Sequence, residues 1–138
     1  MRILFHLDSS EWHGSTTERL WAEGVGNGRY RLRNSPFYAF GVSLGDVVFA
    51  NLKDGELEYC GTSIAGGHST YRIIKICDRL FASYWSPLQE IGCTYEEGPV
   101  FTVDIPPSTD IYQAYNLLQH GENDKVWDFE EGHCGHNV

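Results

Sequence analysis

In the middle of the chain, the run AGGHSTYR at residues 65–72 sets an imidazole, a hydroxyl and a guanidinium close together, at His68, Ser69 and Arg72. A histidine beside a serine is the minimum needed to draw a proton from a hydroxyl, and a nearby arginine suits an anion or a developing negative charge. Gly66 and Gly67 permit a tight backbone path at the same place. The competing reading is a linker entering a strand, with Ser69 and Thr70 bonding local backbone. A second group closes the chain in DFEEGHCGHNV, where His133 and His136 flank Cys134 behind Glu130 and Glu131. Nitrogen, sulfur and oxygen donors of this kind suit zinc, but a closed site needs four ligands in fixed geometry, and Gly132 and Gly135 supply little rigidity. The segment reads better as a strand followed by a polar terminus docked on the body, so no cofactor is called for.

Two glycine motifs dissolve into turns. GVSLG at residues 41–45 matches the G-x-S-x-G pattern of a hydrolase nucleophile elbow, which needs Ser43 on a strained turn from strand into helix. The residues that follow, DVVFAN, are strand-forming, so the motif reads as a loop leading into a strand at Gly45 and Asp46. GVGNGR at residues 24–29 lies between two antiparallel candidates, where a dinucleotide loop would open a helix after a parallel strand.

These groups need elements to position them. Leu20 to Glu23 alternate, Asn27-Gly28 suits a type I′ turn, and Tyr30 and Leu32 alternate with Arg29, Arg31 and Arg33, so a hairpin is expected. Asp54-Gly55 repeats the plan between DVVFANLK and ELEYCGTS. Four or five short strands before residue 66 predict a small antiparallel sheet or barrel-like lobe. Beyond it, TYRIIKI reads as a strand. DRLFASYWSPLQEIG reads as a helix capped by Asp78, with Pro87 as its weak point, and CTYEE and VFTVDI read as strands. STDIYQAYNLLQHG reads as a helix that Gly121 can end, and KVWDFEE as a last strand. Strand, helix, strand, strand, helix, strand is the ferredoxin-like order. The expected fold is therefore α+β: a β lobe over residues 1–66 packed on a ferredoxin-like βαββαβ lobe over residues 67–138, in one compact unit. Trp21, Trp85 and Trp127 each fall within an element, where core packing accounts for them.

With 138 residues, 41% of them hydrophobic, the chain can bury a real core. No apolar run approaches a membrane span, and Ile3, Leu4 and Phe5 are too brief for a signal-peptide core, so a cytoplasmic protein is expected. Cys60, Cys77, Cys93 and Cys134 are dispersed, which favours reduced, mostly buried thiols. Net charge is −9, and its placement is uneven. Acids and bases balance through residue 89, whereas residues 90–138 hold ten acids and Lys125 alone. A phosphate backbone would be repelled by that end, and a basic protein would be attracted to it.

The segments RLWAEGVGNGRYRLRNSPFYAFGVSLGDVV, GGHSTYRI, GCTYEEG and VWDFEEGHCGH together resemble a family of small bacterial proteins, the domain of unknown function 4265 family. The resemblance spans roughly residues 18–136. It implies a bacterial intracellular protein and carries over no activity and no site residue.

Charge segregation, small size and the lack of a complete catalytic set point to a non-enzymatic acidic module that binds a basic protein. An immunity-type protein occluding a bacterial toxin fits this description. Asp124, Asp128, Glu130 and Glu131 would be its carboxylate contacts, with Tyr112, Tyr115 and Trp127, where exposed, as its apolar ones. The alternatives are a small hydrolase or transferase using His68 and Ser69, with Arg72 as a nearby cation and a metal at His133 and His136 as an optional addition, and a regulator of RNA metabolism using Arg29, Arg31 and Arg33. The first alternative requires His68, Ser69 and a carboxylate to line one pocket.

Overall fold

The computed structural model describes all 138 residues. Turn chemistry sets the first half. Asn27 and Gly28 adopt φ of 58° and 69°, and Asp54 and Gly55 adopt 52° and 81°, the left-handed pairs that a type I′ turn demands. They join β2 (Thr17–Gly26) to β3 (Arg29–Leu32) and β4 (Val47–Lys53) to β5 (Glu56–Ile64). With β1 (Arg2–His6) these strands close into a barrel in the order β1-β2-β3-β4-β5. Neighbours are antiparallel except at the seam, where Ile3 and Leu4 of β1 lie parallel to Leu57 and Glu58 of β5. Closure leaves no free edge in the barrel. Ile3, Phe5, Leu20, Leu32, Val42 and Val48 fill its interior.

The second half is α+β. β6 (Ser69–Lys75), α1 (Asp78–Glu90), β7 (Thr94–Glu97), β8 (Phe101–Ile105), α2 (Ile111–Asn123) and β9 (Trp127–His133) follow in sequence. The strands form one antiparallel sheet in the order β7-β8-β6-β9. Alternation along the strands sends Tyr71, Ile73, Val103, Ile105 and Trp127 into a core shared with Phe81, Trp85 and Leu88 of α1 and Ile111, Ala114 and Leu118 of α2. No helix is long and apolar enough to cross a membrane.

Several local expectations change. The α1 N-cap is Cys77, which makes no side-chain cap, and Asp78 is the first helical residue. Pro87 sits inside an unbroken α1. The carbonyl its missing N–H leaves free belongs to Ser83, an exposed residue, so the lost bond falls on the solvent side of the helix. α2 is capped as expected, with the Asp110 carboxylate accepting from the Tyr112 N–H at 2.9 Å. Gly121 does not end α2; a Cβ there would lie 2.2 Å from the Trp127 ring, so this glycine makes room for the indole. Trp21 is exposed, with the Arg2 guanidinium 5.7 Å from its ring centre, so core packing does not explain it. All four cysteines are free thiols, and only Cys93 is buried.

The other face of the sheet is polar and yet buried. Thr70, Arg72, Thr102 and Asp104 are each at most 8% exposed. Residues 33–46, between β3 and β4, lie across part of it. The Thr102 hydroxyl donates to the Pro36 carbonyl at 2.8 Å, and Arg72 Nη2 donates to the carbonyls of Pro36 and Ala39. From the barrel side, Glu18 accepts from the N–H groups of Phe37, Tyr38 and Ala39 at 2.6, 3.1 and 2.9 Å. A carboxylate thus satisfies donors of this loop and a guanidinium its acceptors, which fastens barrel to sheet, and the Phe37 ring packs over Gly98 beside them.

Candidate functional site

His68, Ser69 and Arg72 lie where barrel and sheet meet, but they turn to three different partners: Asp104, His136 and the carbonyls of the 36–39 loop. His68 places Nδ1 2.9 and 3.1 Å from the two carboxylate oxygens of Asp104. Burial pushes the Asp104 carboxyl above its ordinary value, and His68 opposes that shift. Ser69 Oγ lies 2.6 Å from Nδ1 of His136 and accepts from the Gly135 N–H at 3.0 Å. The other ring nitrogen of His136 is 2.9 Å from the Pro106 carbonyl oxygen, which only accepts. In the neutral ring, Nε2 is then the N–H that donates to this carbonyl, and Nδ1 accepts from the Ser69 hydroxyl.

A second hydroxyl–imidazole pair stands beside the first. Ser43 Oγ is 2.6 Å from Thr70 Oγ1 and 2.9 Å from His133 Nδ1. The buried Asp46 carboxylate braces this corner by accepting from the N–H groups of Ser43 at 3.0 Å and Gly66 at 2.8 Å. The sequence marked Ser43 through the G-x-S-x-G match. The structure places it in the expected loop before β4, as a fastening point for residues ninety positions away.

The polarity of the Ser69–His136 pair is that of a hydroxyl facing a base, but the surroundings do not supply a reaction site. Ser43 and Ser69 have no exposed surface. None of the five surface cavities is lined by Ser43, Ser69, His68, His133 or His136. The shared pocket that the enzyme reading required is missing. The cluster anchors the terminal segment, and the fit is close: a Cβ on Gly135 would stand 2.3 Å from the His68 carbonyl oxygen. His133 and His136 spend ring nitrogens on these bonds, and Cys134 contacts the His136 carbonyl at 3.7 Å. No group of three or more His, Cys, Asp or Glu side chains is arranged to hold a metal ion.

The predicted partner-binding residues gather largely around β9. Asp128 and Glu130 line a cleft of about 300 Å³ on one side of the strand, with Trp12, Ile74 and Val100, and with Arg72 contributing to its wall. Glu131, Tyr112 and Tyr115 line a second cleft of about 410 Å³ on the other side, with Tyr71, Ile111 and Val138. Burial and the Glu131 carboxylate hold the Tyr71 phenol well above its ordinary value, with its hydroxyl donating to Glu131 at 3.0 Å. Trp12 and Ile74, both about half exposed, were not foreseen; neither belongs to a pattern that marks a surface site.

Two members of the set lie elsewhere. Asp124 is the C-cap of α2 and accepts from the Tyr84 hydroxyl at 2.6 Å. Trp127 has no exposed surface, and its indole N–H donates to the Leu118 carbonyl at 2.9 Å, so it belongs to the core and not to any contact surface. Of the basic strip on β3, Arg31 and Arg33 are both paired with Glu23, at 3.4 and 3.2 Å.

A search of curated proteins found no match. Among solved structures the chain is similar to one described as "Novel crystal structure of a hypothetical protein from Neisseria gonorrhoeae", at a TM-score of 0.79 and 17% identity, covering 99% of this chain and 94% of that one. At that identity the likeness concerns the fold alone. The model of the family described as Domain of unknown function (DUF4265) matches residues 18–129, and the chain belongs to that family.

Proposed function

We propose that this protein is a non-enzymatic, acidic protein-binding module of the bacterial cytoplasm, of the immunity type, which occludes a basic partner such as a toxin. In this reading a barrel lobe sits on the open face of a ferredoxin-like lobe and acts as its support, while the outer strand of the second lobe makes the contact. The observation that carries the reading is the pair of clefts on either side of β9, a strand bearing Asp128, Glu130 and Glu131. A cation entering the first cleft meets two carboxylates and the exposed Trp12 ring against one buried guanidinium, Arg72, which is turned to the 36–39 loop, a balance that favours lysine or arginine side chains.

The hydrolase or transferase reading at His68 and Ser69 loses support because the hydroxyl is sealed from solvent and adjoins no cavity. Isolation of the protein at native abundance tests the proposal. A stoichiometric complex with a basic protein is expected, weakened by salt and by the combined change Asp128→Asn, Glu130→Gln and Glu131→Gln. A complex that survives both treatments unchanged would overturn it.

A further inference from the structure

β9 is a sheet edge as well as a row of acids. It pairs with β6 and with no other strand, and Asp128, Glu130 and Glu131 are exposed along it. The Phe129 N–H is turned away from β6 and reaches the Glu122 side chain at 3.5 Å. In an antiparallel ladder the outward amides alternate, so the Glu131 amide faces the same way. At Gly132 the free edge stops, because that carbonyl accepts from the Gly41 N–H at 3.1 Å. The accessible edge therefore runs from Asp128 to Glu131, since Trp127 has no exposed surface. It has no second strand partner, its Phe129 N–H is held only by the Glu122 side chain, which an added strand would displace, and a cleft lies on each of its two faces.

This juxtaposition deepens the binding reading and rests on it: we propose that the partner docks by strand addition, an extended basic segment pairing with the outer edge of β9. Side chains of an added strand point alternately to the two faces. Those on the barrel side enter the cleft of Trp12, Asp128 and Glu130, which takes cations. Those on the helix side reach Tyr112 and Tyr115, which are 60% and 42% exposed and take apolar groups. The matching sequence therefore alternates lysine or arginine with apolar residues. Carboxylates on an edge ordinarily protect it from chance pairing, and here they also select, since only a cationic strand is drawn in where neutral or acidic strands are refused.

A capped ten-residue peptide alternating lysine and valine is the probe, together with two counterparts N-methylated on either all valine or all lysine amides. A single bound strand bonds to β9 through one edge. One counterpart should therefore bind at least about tenfold more weakly than the parent while the other binds comparably, since several backbone hydrogen bonds are lost in one and none in the other. The parent should also slow hydrogen exchange at Phe129 and Glu131. If the parent binds in a salt-dependent way but both counterparts match it and those amides stay unprotected, strand addition is overturned while the basic-partner reading stands. If the parent binds no better to wild type than to the variant with Asp128→Asn, Glu130→Gln and Glu131→Gln, both are overturned.

Discussion

Glu18 and Arg72 grip opposite sides of the same loop: Glu18 accepts from the N–H groups of residues 37–39, and Arg72 donates to the carbonyls of Pro36 and Ala39. One comes from the barrel and the other from the sheet. Burial pulls the Arg72 guanidinium below its ordinary value, and the charges of Glu18 and Glu130 counter this. Gly132 leaves the space that the guanidinium occupies, because a Cβ there would lie 2.9 Å from it.

Removing either grip should loosen the same loop. Arg72→Met and Glu18→Ala are each expected to cost about 3 kcal/mol of unfolding free energy by urea titration, since each strands buried backbone groups. The double variant should lose clearly less than the sum, because the second change acts on a loop already released. Strict additivity would show that the two residues act independently.

The terminal segment should depend on Gly135. In Gly135→Ala the new methyl meets the His68 carbonyl, which is backbone and cannot swing aside, so a loss of about 1–3 kcal/mol is expected. Proton NMR of the imidazoles should show His136 losing its Ser69 partner in the same variant. An unchanged His136 signal would contradict the anchoring role given to this segment.

Asp104 gives a pH signature. Its folded value is raised above 3.8 by burial, so the folded protein holds that proton more tightly than the unfolded chain does. Its contribution to stability is full below 3.8 and is lost as pH rises through the raised value. Asp104→Asn has no such proton and keeps an acceptor for His68. The difference in unfolding free energy, variant minus wild type, should climb with pH across that window and then level. A difference that is flat or falls would contradict the assignment.

Thiol chemistry should separate the cysteines. Burial pushes the Cys93 thiol up to about 12, whereas Cys60 is exposed on the barrel. With iodoacetamide at pH 8, Cys60 should be labelled in the native protein and Cys93 only on unfolding. Prompt native labelling of Cys93 would mean that the helix-side core opens far more readily than its packing implies.

Much of the fold was legible because its signals are local. The type I′ turns at Asn27-Gly28 and Asp54-Gly55, the Asp110 cap and the face formed by Phe81, Trp85 and Leu88 each follow from neighbours within a few residues. Gly121 misled because its packing partner is Trp127, on the next strand, and not a turn. Thr70, Arg72, Thr102 and Asp104 alternate with apolar residues as a solvated face would, and nothing in that pattern reveals the loop that covers them. His68, Ser69 and Arg72 stood out as a group. Their partners Asp104, His136 and the 36–39 loop are reached only through space. Trp12 and Ile74 had no periodic signature, and only the cleft beside β9 gives them a role.

Stopped-flow association with the lysine–valine peptide, for wild type and for the variant neutralised at Asp128, Glu130 and Glu131, bears most directly on the idea of an acidic grip. Between about 20 and 300 mM salt the wild-type rate constant should fall about tenfold, while the variant starts lower and follows a shallower slope, because screening removes an attraction it has largely lost. Equal rate constants for the two proteins at every salt concentration would contradict the account.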